Sequence, residues 1–220
     1  MSVLVSAIIP THNRLELLKK SIQSVLNQTY EEIELIVVDD ASTDGTKEYC
    51  LQKNNFIYLR IEPEKSRGGN HTRNLGIKKA HGEYIAFLDD DDEWLPEKTS
   101  KQVEFLNDNP EIGLVYSGCI VRKITHDSEI EKEQYPFRKN RGNLNKRVLY
   151  TIPCLTITIM VRKELLFKVG LFDESLSFWQ ETELMIRLCQ ITAIDIIDEC
   201  LSVCRVDIAD KNDIQHYAGR

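Results

Sequence analysis

The stretch Glu83-Tyr84-Ile85-Ala86-Phe87-Leu88-Asp89-Asp90-Asp91-Asp92 carries an apolar segment straight into four consecutive carboxylates. A short apolar run that ends in a turn-like cluster reads as a buried strand. Ligands of open α/β sheets bind outside the carboxyl ends of the strands, and a hard divalent cation needs oxygen donors gathered at one point. Acids at such a strand tip are therefore placed for metal-assisted chemistry on phosphates. Glu34-Leu35-Ile36-Val37-Val38 repeats the pattern and ends in Asp39-Asp40, so two strand tips deliver carboxylates to what reads as one site.

Working outward, apolar runs alternate with helical periodicity from residue 3 to about residue 92, the mark of βαβ units around a largely parallel sheet. Strands are expected at 3–9, 34–38, 56–61 and 84–88. Leu15, Leu18, Ile22, Val25 and Leu26 recur at helical spacing, which predicts a helix over about 15–27 with one stripe on the sheet. Asp44 is placed to cap a helix over 45–52. The turn Ser66-Arg67-Gly68-Gly69 leads into a helix over 70–80 that Gly82 ends, and Pro96 opens another through 107. Further strands are expected at 113–121, 154–161 and 194–203, and a helix at 181–191. The segment 122–147 is highly charged and holds the cations Arg138, Lys139, Arg141, Lys146 and Arg147. It reads as a solvated excursion, or as a surface facing an anionic acceptor or membrane headgroups.

The 220 residues suit one well-filled α/β core, and 28 basic against 35 acidic residues, a net charge of -7, argue against nucleic acid as a partner. No run approaches the roughly 20 apolar residues of a spanning helix. The opening Met1-Ser2-Val3-Leu4-Val5-Ser6-Ala7-Ile8-Ile9 lacks a positive leader and reads as a first strand, not a signal peptide. Six scattered cysteines then read as reduced residues of a cytoplasmic protein, one that meets the inner membrane face only peripherally if at all. Cys200 and Cys204 have no second pair to complete a zinc site.

Ordered motifs carry a family resemblance. Val5-Ser6-Ala7-Ile8-Ile9-Pro10-Thr11-His12-Asn13-Arg14, Ser24-Val25-Leu26-Asn27-Gln28-Thr29-Tyr30 and Ile36-Val37-Val38-Asp39-Asp40-Ala41-Ser42-Thr43-Asp44 come first. Thr72-Arg73-Asn74-Leu75-Gly76-Ile77, the aspartate-tipped strand and Gly170-Leu171-Phe172-Asp173-Glu174-Ser175-Leu176 follow. Together they resemble the family 2 glycosyltransferases to about Arg205, and several motifs in order are more specific than any one alone. The resemblance implies a GT-A fold: a single α/β domain with a Rossmann-like, mixed but mostly parallel sheet flanked by helices. It divides the chain into a donor-binding half at 1–110, an acceptor and catalytic half at 111–205 and a polar tail at 206–220.

The implied activity is inverting, metal-dependent transfer of a sugar from a nucleotide donor to a glycan or lipid-linked acceptor hydroxyl, as in synthesis of bacterial cell-surface polysaccharide. A carboxylate at the base would satisfy the single imide donor on the pairing edge of uracil, which favours a UDP-sugar. Mn²⁺ or Mg²⁺ would bridge the diphosphate and stabilise the leaving group. The family's acid-x-acid motif maps onto Asp89-Asp90-Asp91, with Asp91 the main metal ligand, Asp89 a second, and Asp89 and Asp90 near the ribose or the metal's water shell. Pro10, Thr11, Asn13 and Arg14 are implied to wrap base and ribose, Asp40 to accept from the base, and Ser42 and Arg73 to approach the nucleotide.

A general base must stand within hydrogen-bond reach of the acceptor hydroxyl. The family places there an aspartate preceded by glutamate, and this chain has Gln180-Glu181. Glu181 is the candidate base, one methylene longer than aspartate, with Glu183 as an alternate that should face away from it. The departure keeps open a second reading, a non-catalytic nucleotide-sugar binding module. A sugar-phosphate nucleotidyltransferase is the third, and the missing glycine-rich signature after the first strand weighs against it.

Overall fold

A computed structural model describes residues 2–125, 127–137, 139–150 and 154–208. Strand β1 (Val5–Thr11) is buried at every position, because sheet neighbours flank it on both edges and helices cover both faces. β2 (Ile33–Asp40) and β3 (Ile57–Ile61) follow on one side, reached through α1 (Leu15–Leu26) and α2 (Thr46–Leu51). After α3 (Gly69–Lys79) the chain returns to the opposite edge of β1 as β4 (Tyr84–Phe87). All three pairings are parallel, giving the order β3-β2-β1-β4. The order reverses between β1 and β4, so their carboxyl ends frame a crevice at a topological switch point.

Alternation along each strand sorts side chains to two cores. Ile8, Ile36, Val38 and Phe87 face the core that α3 closes with Ile77. Ala7, Ile9, Val37 and Ala86 face the one that α1 closes with Leu18, Ile22 and Val25. Helix α3 lies very close to β1: a Cβ added at Gly76 would stand 2.5 Å from Ile8 Cγ2.

The rest of the chain adds β5 (Glu93–Trp94), α4 (Lys98–Asp108), β6 (Ile112–Ile124), β7 (Glu129–Gln134), β8 (Ile159–Arg162), α5 (Lys163–Val169), α6 (Gln180–Leu188) and β9 (Ala193–Asp207). β8 joins β4 antiparallel, β6 joins β8 antiparallel, and β9 runs parallel to β6 along the longest ladder. Register shifts around Gly118 curl this half of the sheet. The curl brings β5 against β9, pairing Trp94 with Ser202, so the segment after the aspartates docks on the far strand.

Among the described strands and α-helices, β5, β7 and α5 escaped the sequence reading. The first part of the charged excursion is a hairpin, with β6 running on to Ile124 and β7 returning fully exposed, while its later part is anchored by a Gly142–Ile194 bridge and by Leu144 in the core. Charged residues paired across an exposed ribbon have no apolar face to betray a strand. The strand expected at 154–161 is confined to Ile159–Arg162. A 3-10 turn precedes it, with Leu155 O accepting from both Thr158 N–H (3.0 Å) and Thr158 Oγ1 (2.7 Å). Arg138 and residues 209–220 of the expected tail lie outside the described residues. Among the described residues no helix is long and apolar enough to cross a membrane.

Candidate functional site

The four aspartates after β4 do four different things. Asp89 Oδ1 accepts from Arg73 Nη2 at 2.5 Å. Asp90 is buried, accepting from Thr11 Oγ1 (2.7 Å), His12 N–H (3.4 Å) and Arg14 Nη1 (3.2 Å). Burial pushes its carboxyl up from the ordinary value, and the Arg14 guanidinium offsets only part of that. Asp91 Oδ2 accepts from Arg14 Nη1 at 2.8 Å. Asp92 borders the same cleft but is held by the scaffold, its Oδ1 accepting from Arg205 N–H on β9 (2.7 Å) and its carbonyl from Ser21 Oγ on α1 (2.7 Å). The last aspartate thus ties the run to the scaffold.

At the tip of β2 the strand alternation parts two adjacent acids. Asp39 is fully buried and accepts from Ser42 N–H (2.8 Å), Tyr58 OH (2.6 Å) and Arg60 Nη1 (2.6 Å). Asp40 faces the crevice. Its Oδ2 accepts from Gly68 N–H at 3.1 Å, while Oδ1, also buried, has no hydrogen-bond partner among the described residues. Gly68 holds φ +83°, a left-handed conformation natural to glycine, and so aims its N–H at the carboxylate. The Asp40 carbonyl accepts from His12 Nδ1–H at 2.5 Å, and His12 Nε2 accepts from Asn13 Nδ2 at 2.9 Å, which fixes the imidazole tautomer.

Asn13 and Ala41 also have positive φ, +54° and +61°. Asn13 N–H donates to Ser42 Oγ (2.9 Å) and Asn13 Oδ1 accepts from Thr43 N–H (2.7 Å). The tips of β1 and β2 are thereby stitched together. Helix α3 supplies Arg73, whose guanidinium lies 5.8 Å from the centroid of the Phe172 ring and whose buried Nε has no partner among the described residues.

A clasp joins α3 to the loop before α6. Asn74 Nδ2 donates to Phe172 O and Glu174 Oε1 (both 2.9 Å), and its Oδ1 accepts from Phe172 N–H (3.0 Å). Asn70 Nδ2 donates to the carbonyls of Asp173 (2.8 Å) and Leu176 (2.9 Å), and His71 Nδ1 donates to Glu174 (2.9 Å). Two motifs singled out in the sequence, 72–77 and 170–176, meet through Asn74. The loop ends at Trp179, an exposed residue with φ +62°, and α6 begins.

A cleft of about 890 Å³ occupies the switch point. Pro10, Thr11, Asn13 and Arg14 line it from β1, Asp40 from β2, Arg73 from α3, and Asp89, Asp90 and Asp91 from β4. Ser42 lies beneath this wall, buried against Asn13. Gln180 lines the cleft where Glu181 was expected; Glu181 sits one residue behind, only 7% exposed. Burial, then the Glu181 carboxylate, push the Cys154 thiol well up. Glu183 is bound by Arg187 one helical turn on.

Sequence reasoning missed His12, Thr156, Ile157 and Cys204 on the wall. The first could have been found from its place between Thr11 and Asn13. The others arrive from the curled second half and left no local signal.

The donor set at the tip of β4 is all oxygen, which suits Mg²⁺ or Mn²⁺. Among the described residues no three acidic, imidazole or thiol groups converge to hold a metal by themselves. One or two carboxylates completed by phosphate and water would fit such an ion, as is usual for Mg²⁺ at nucleotides.

A profile described as Glycosyl transferase family 2 matches residues 6–169. The chain belongs to that family. An uncharacterized glycosyltransferase of Rickettsia typhi is 32% identical over 225 residues, covering 98% of this chain and 70% of its own. The GalNAc(5)-diNAcBac-PP-undecaprenol beta-1,3-glucosyltransferase of Campylobacter jejuni is 35% identical over 152 residues, 62% of this chain and 48% of that one. The family 2 chain spans only 29% of the length of a Rickettsia bellii relative to which it is 33% identical. Its fold is that of GT-A glycosyltransferases: Staphylococcus aureus TarS in complex with UDP superposes with a TM-score of 0.72 at 23% identity, over 92% of this chain and 60% of TarS. The mannosyltransferase PcManGT of Pyrobaculum calidifontis, in complex with GDP-Man and Mn²⁺, gives 0.68 at 21%, over 93% of this chain and 57% of that one.

Proposed function

We propose that the chain is a metal-dependent, inverting glycosyltransferase domain that takes a UDP-sugar donor and transfers the sugar to an acceptor hydroxyl in the synthesis of cell-surface polysaccharide. The observation that carries this reading is the buried Asp40 Oδ1 on the cleft wall, which has no partner among the described residues. An unsatisfied buried carboxylate oxygen costs free energy unless a ligand completes it, and the imide N–H of uracil is a donor of the right kind. Asp40 and the 89–91 carboxylates flank the tip of β1 on opposite sides. A nucleoside seated at Asp40 therefore directs its diphosphate across residues 10–14 toward Asp89 and Asp91.

Asp91, with Asp89, would hold the cation, which when bound supplies Lewis-acid neutralisation of the departing diphosphate. Arg73, fixed by Asp89 and Phe172, adds a cation at the same place. In the transfer, the acceptor oxygen bonds the anomeric carbon as the bond to the β-phosphate oxygen breaks, and Glu181 takes the hydroxyl proton. With Gln180 on the wall and Glu181 behind it, this role requires the start of α6 to turn on Trp179. Residues 1–110 then form the donor half and 111–205 the acceptor half.

The C. jejuni relative's name contains an undecaprenol-linked substrate, so a lipid-linked acceptor is proposed, met at the cytoplasmic face of a membrane. Lys139, Arg141 and Arg147 with exposed Phe137 and Leu149 would supply that contact.

Calorimetric titration of UDP and of UDP- and GDP-sugars, with Mn²⁺ and with chelator, tests the reading. Metal-dependent UDP binding that is lost in Asp91→Ala is expected; no nucleotide binding under any condition overturns it. The position of Glu181 off the cleft wall favours one rival, a binding module without turnover. Donor binding that survives Glu181→Gln, with no sugar transfer or donor hydrolysis in the unaltered protein, would establish that rival.

A further inference from the structure

Every carboxylate at the tip of β4 has a cationic or N–H partner, but the two guanidiniums there differ. Arg73 is held under Phe172, its side chain 9% exposed. Arg14, at the entry to α1, spans Asp90 and Asp91 with a side chain 40% exposed. The first is built into the wall, and the second reaches across it from solvent. The Asp91 oxygen that Arg14 holds at 2.8 Å belongs to the main proposed metal ligand.

We infer that Arg14 is an internal counter-ion that stands in for the divalent cation on Asp91 and leaves when the donor's diphosphate offers it another anion. The inference rests on the donor-site reading above and concerns the regulation of that site. A dication approaching Asp91 alone meets a positive charge already within hydrogen-bond distance of the same oxygen, so metal binding without nucleotide is weak. A diphosphate in the cleft changes the balance, because guanidinium forms strong paired hydrogen bonds with phosphate oxygens. Arg14 then exchanges carboxylate for phosphate and Asp91 is released to the cation. Metal and nucleotide bind cooperatively, and by linkage each raises the other's affinity by the same factor. Asp90 stays in place through Thr11, so the exchange leaves the wall intact.

The test is Mn²⁺ binding, read from the loss of the free aqueous Mn²⁺ paramagnetic resonance signal, with and without UDP, in the full chain. Arg14→Met should bind Mn²⁺ alone about tenfold more tightly, with UDP enhancing it about tenfold less than in the unaltered protein. Arg14→Lys, which keeps the charge, should stay weak. Adding Asp91→Asn to Arg14→Met should abolish the gain, locating it at this carboxylate. Unchanged or weaker Mn²⁺ affinity in Arg14→Met, with Mn²⁺-dependent UDP binding intact, overturns the counter-ion role and leaves the donor site standing. Failure of the unaltered protein to bind UDP with Mn²⁺ overturns both.

Discussion

Asp39 and Asp40 are neighbours of identical chemistry with opposite consequences when changed. Asp39 is sealed under β3, where Tyr58 and Arg60 complete it, so Asp39→Asn breaks an ion pair inside the protein. The expected loss is about 2–3 kcal/mol, below that of a wholly buried pair because Arg60 retains some contact with water; a denaturant melt measures it. Asp40 faces the cleft with one oxygen that has no partner among the described residues. Asp40→Asn should leave unfolding free energy within about 1 kcal/mol of the unaltered protein, yet weaken UDP binding at least about tenfold. A UDP affinity that does not change would remove Asp40 from the nucleotide site. Charge alone does not distinguish these residues; the side of the strand does.

Between elements, single polar side chains carry the joints. Asn74 completes both the N–H and the carbonyl of Phe172, groups that the loop before α6 cannot satisfy by itself. Asn74→Ala should cost about 2–3 kcal/mol for those unmet buried groups, with faster hydrogen exchange at the Phe172 amide as the local signature. Glu34 is the corresponding joint between β2 and the approach to β4. It accepts from Ser6 Oγ (2.5 Å), from the His81 and Gly82 N–H groups, and from His81 Nδ1 (2.9 Å). Burial acts to raise its carboxyl, but these bonds prevail and hold it below the ordinary glutamate value. A lowered carboxylate pKa contributes stability that is present above the unfolded value and lost as pH falls through the folded one. Glu34→Gln should therefore be less stable at pH 7, and the difference should close as pH falls through the lowered folded value of Glu34. Denaturant melts across that range check it, and a gap that widened in acid would refute this account of the joint.

At the scale of the molecule, the parallel N-terminal strands and the later strands share one sheet. β4 pairs on one edge with β1 and on the other with β8, and Phe87 meets Phe172 edge-on at 5.4 Å between ring centroids. Unfolding should accordingly be a single transition, with buried Trp94 fluorescence and far-UV circular dichroism coincident. Non-coincident curves would mean that the parallel N-terminal part folds as a separate unit. Much of the N-terminal part was legible in the chain itself: β1 to β4, α1 to α3 and the carboxylates at two strand tips follow from apolar runs and helical spacing, both short-range signals. The expected caps did not form: Gly45 stands at the N-cap of α2 and Ala80, not a left-handed Gly82, ends α3. The resemblance to family 2 glycosyltransferases rested on motifs of the same local kind. The partnerships inside the cleft were not legible. Thr11 reaches Asp90 across 79 residues and Arg14 reaches Asp91 across 77. Which aspartate faces ligand, arginine or scaffold, and whether Gln180 or Glu181 stands on the wall, depends on how a curled sheet brings distant segments together. The sequence by itself determined the elements up to β4, the family and the acidic tips of two strands, because those are written in local periodicity and motif. Only the tertiary structure decided the partner of each charge, because partners are set by packing between segments that share no local pattern.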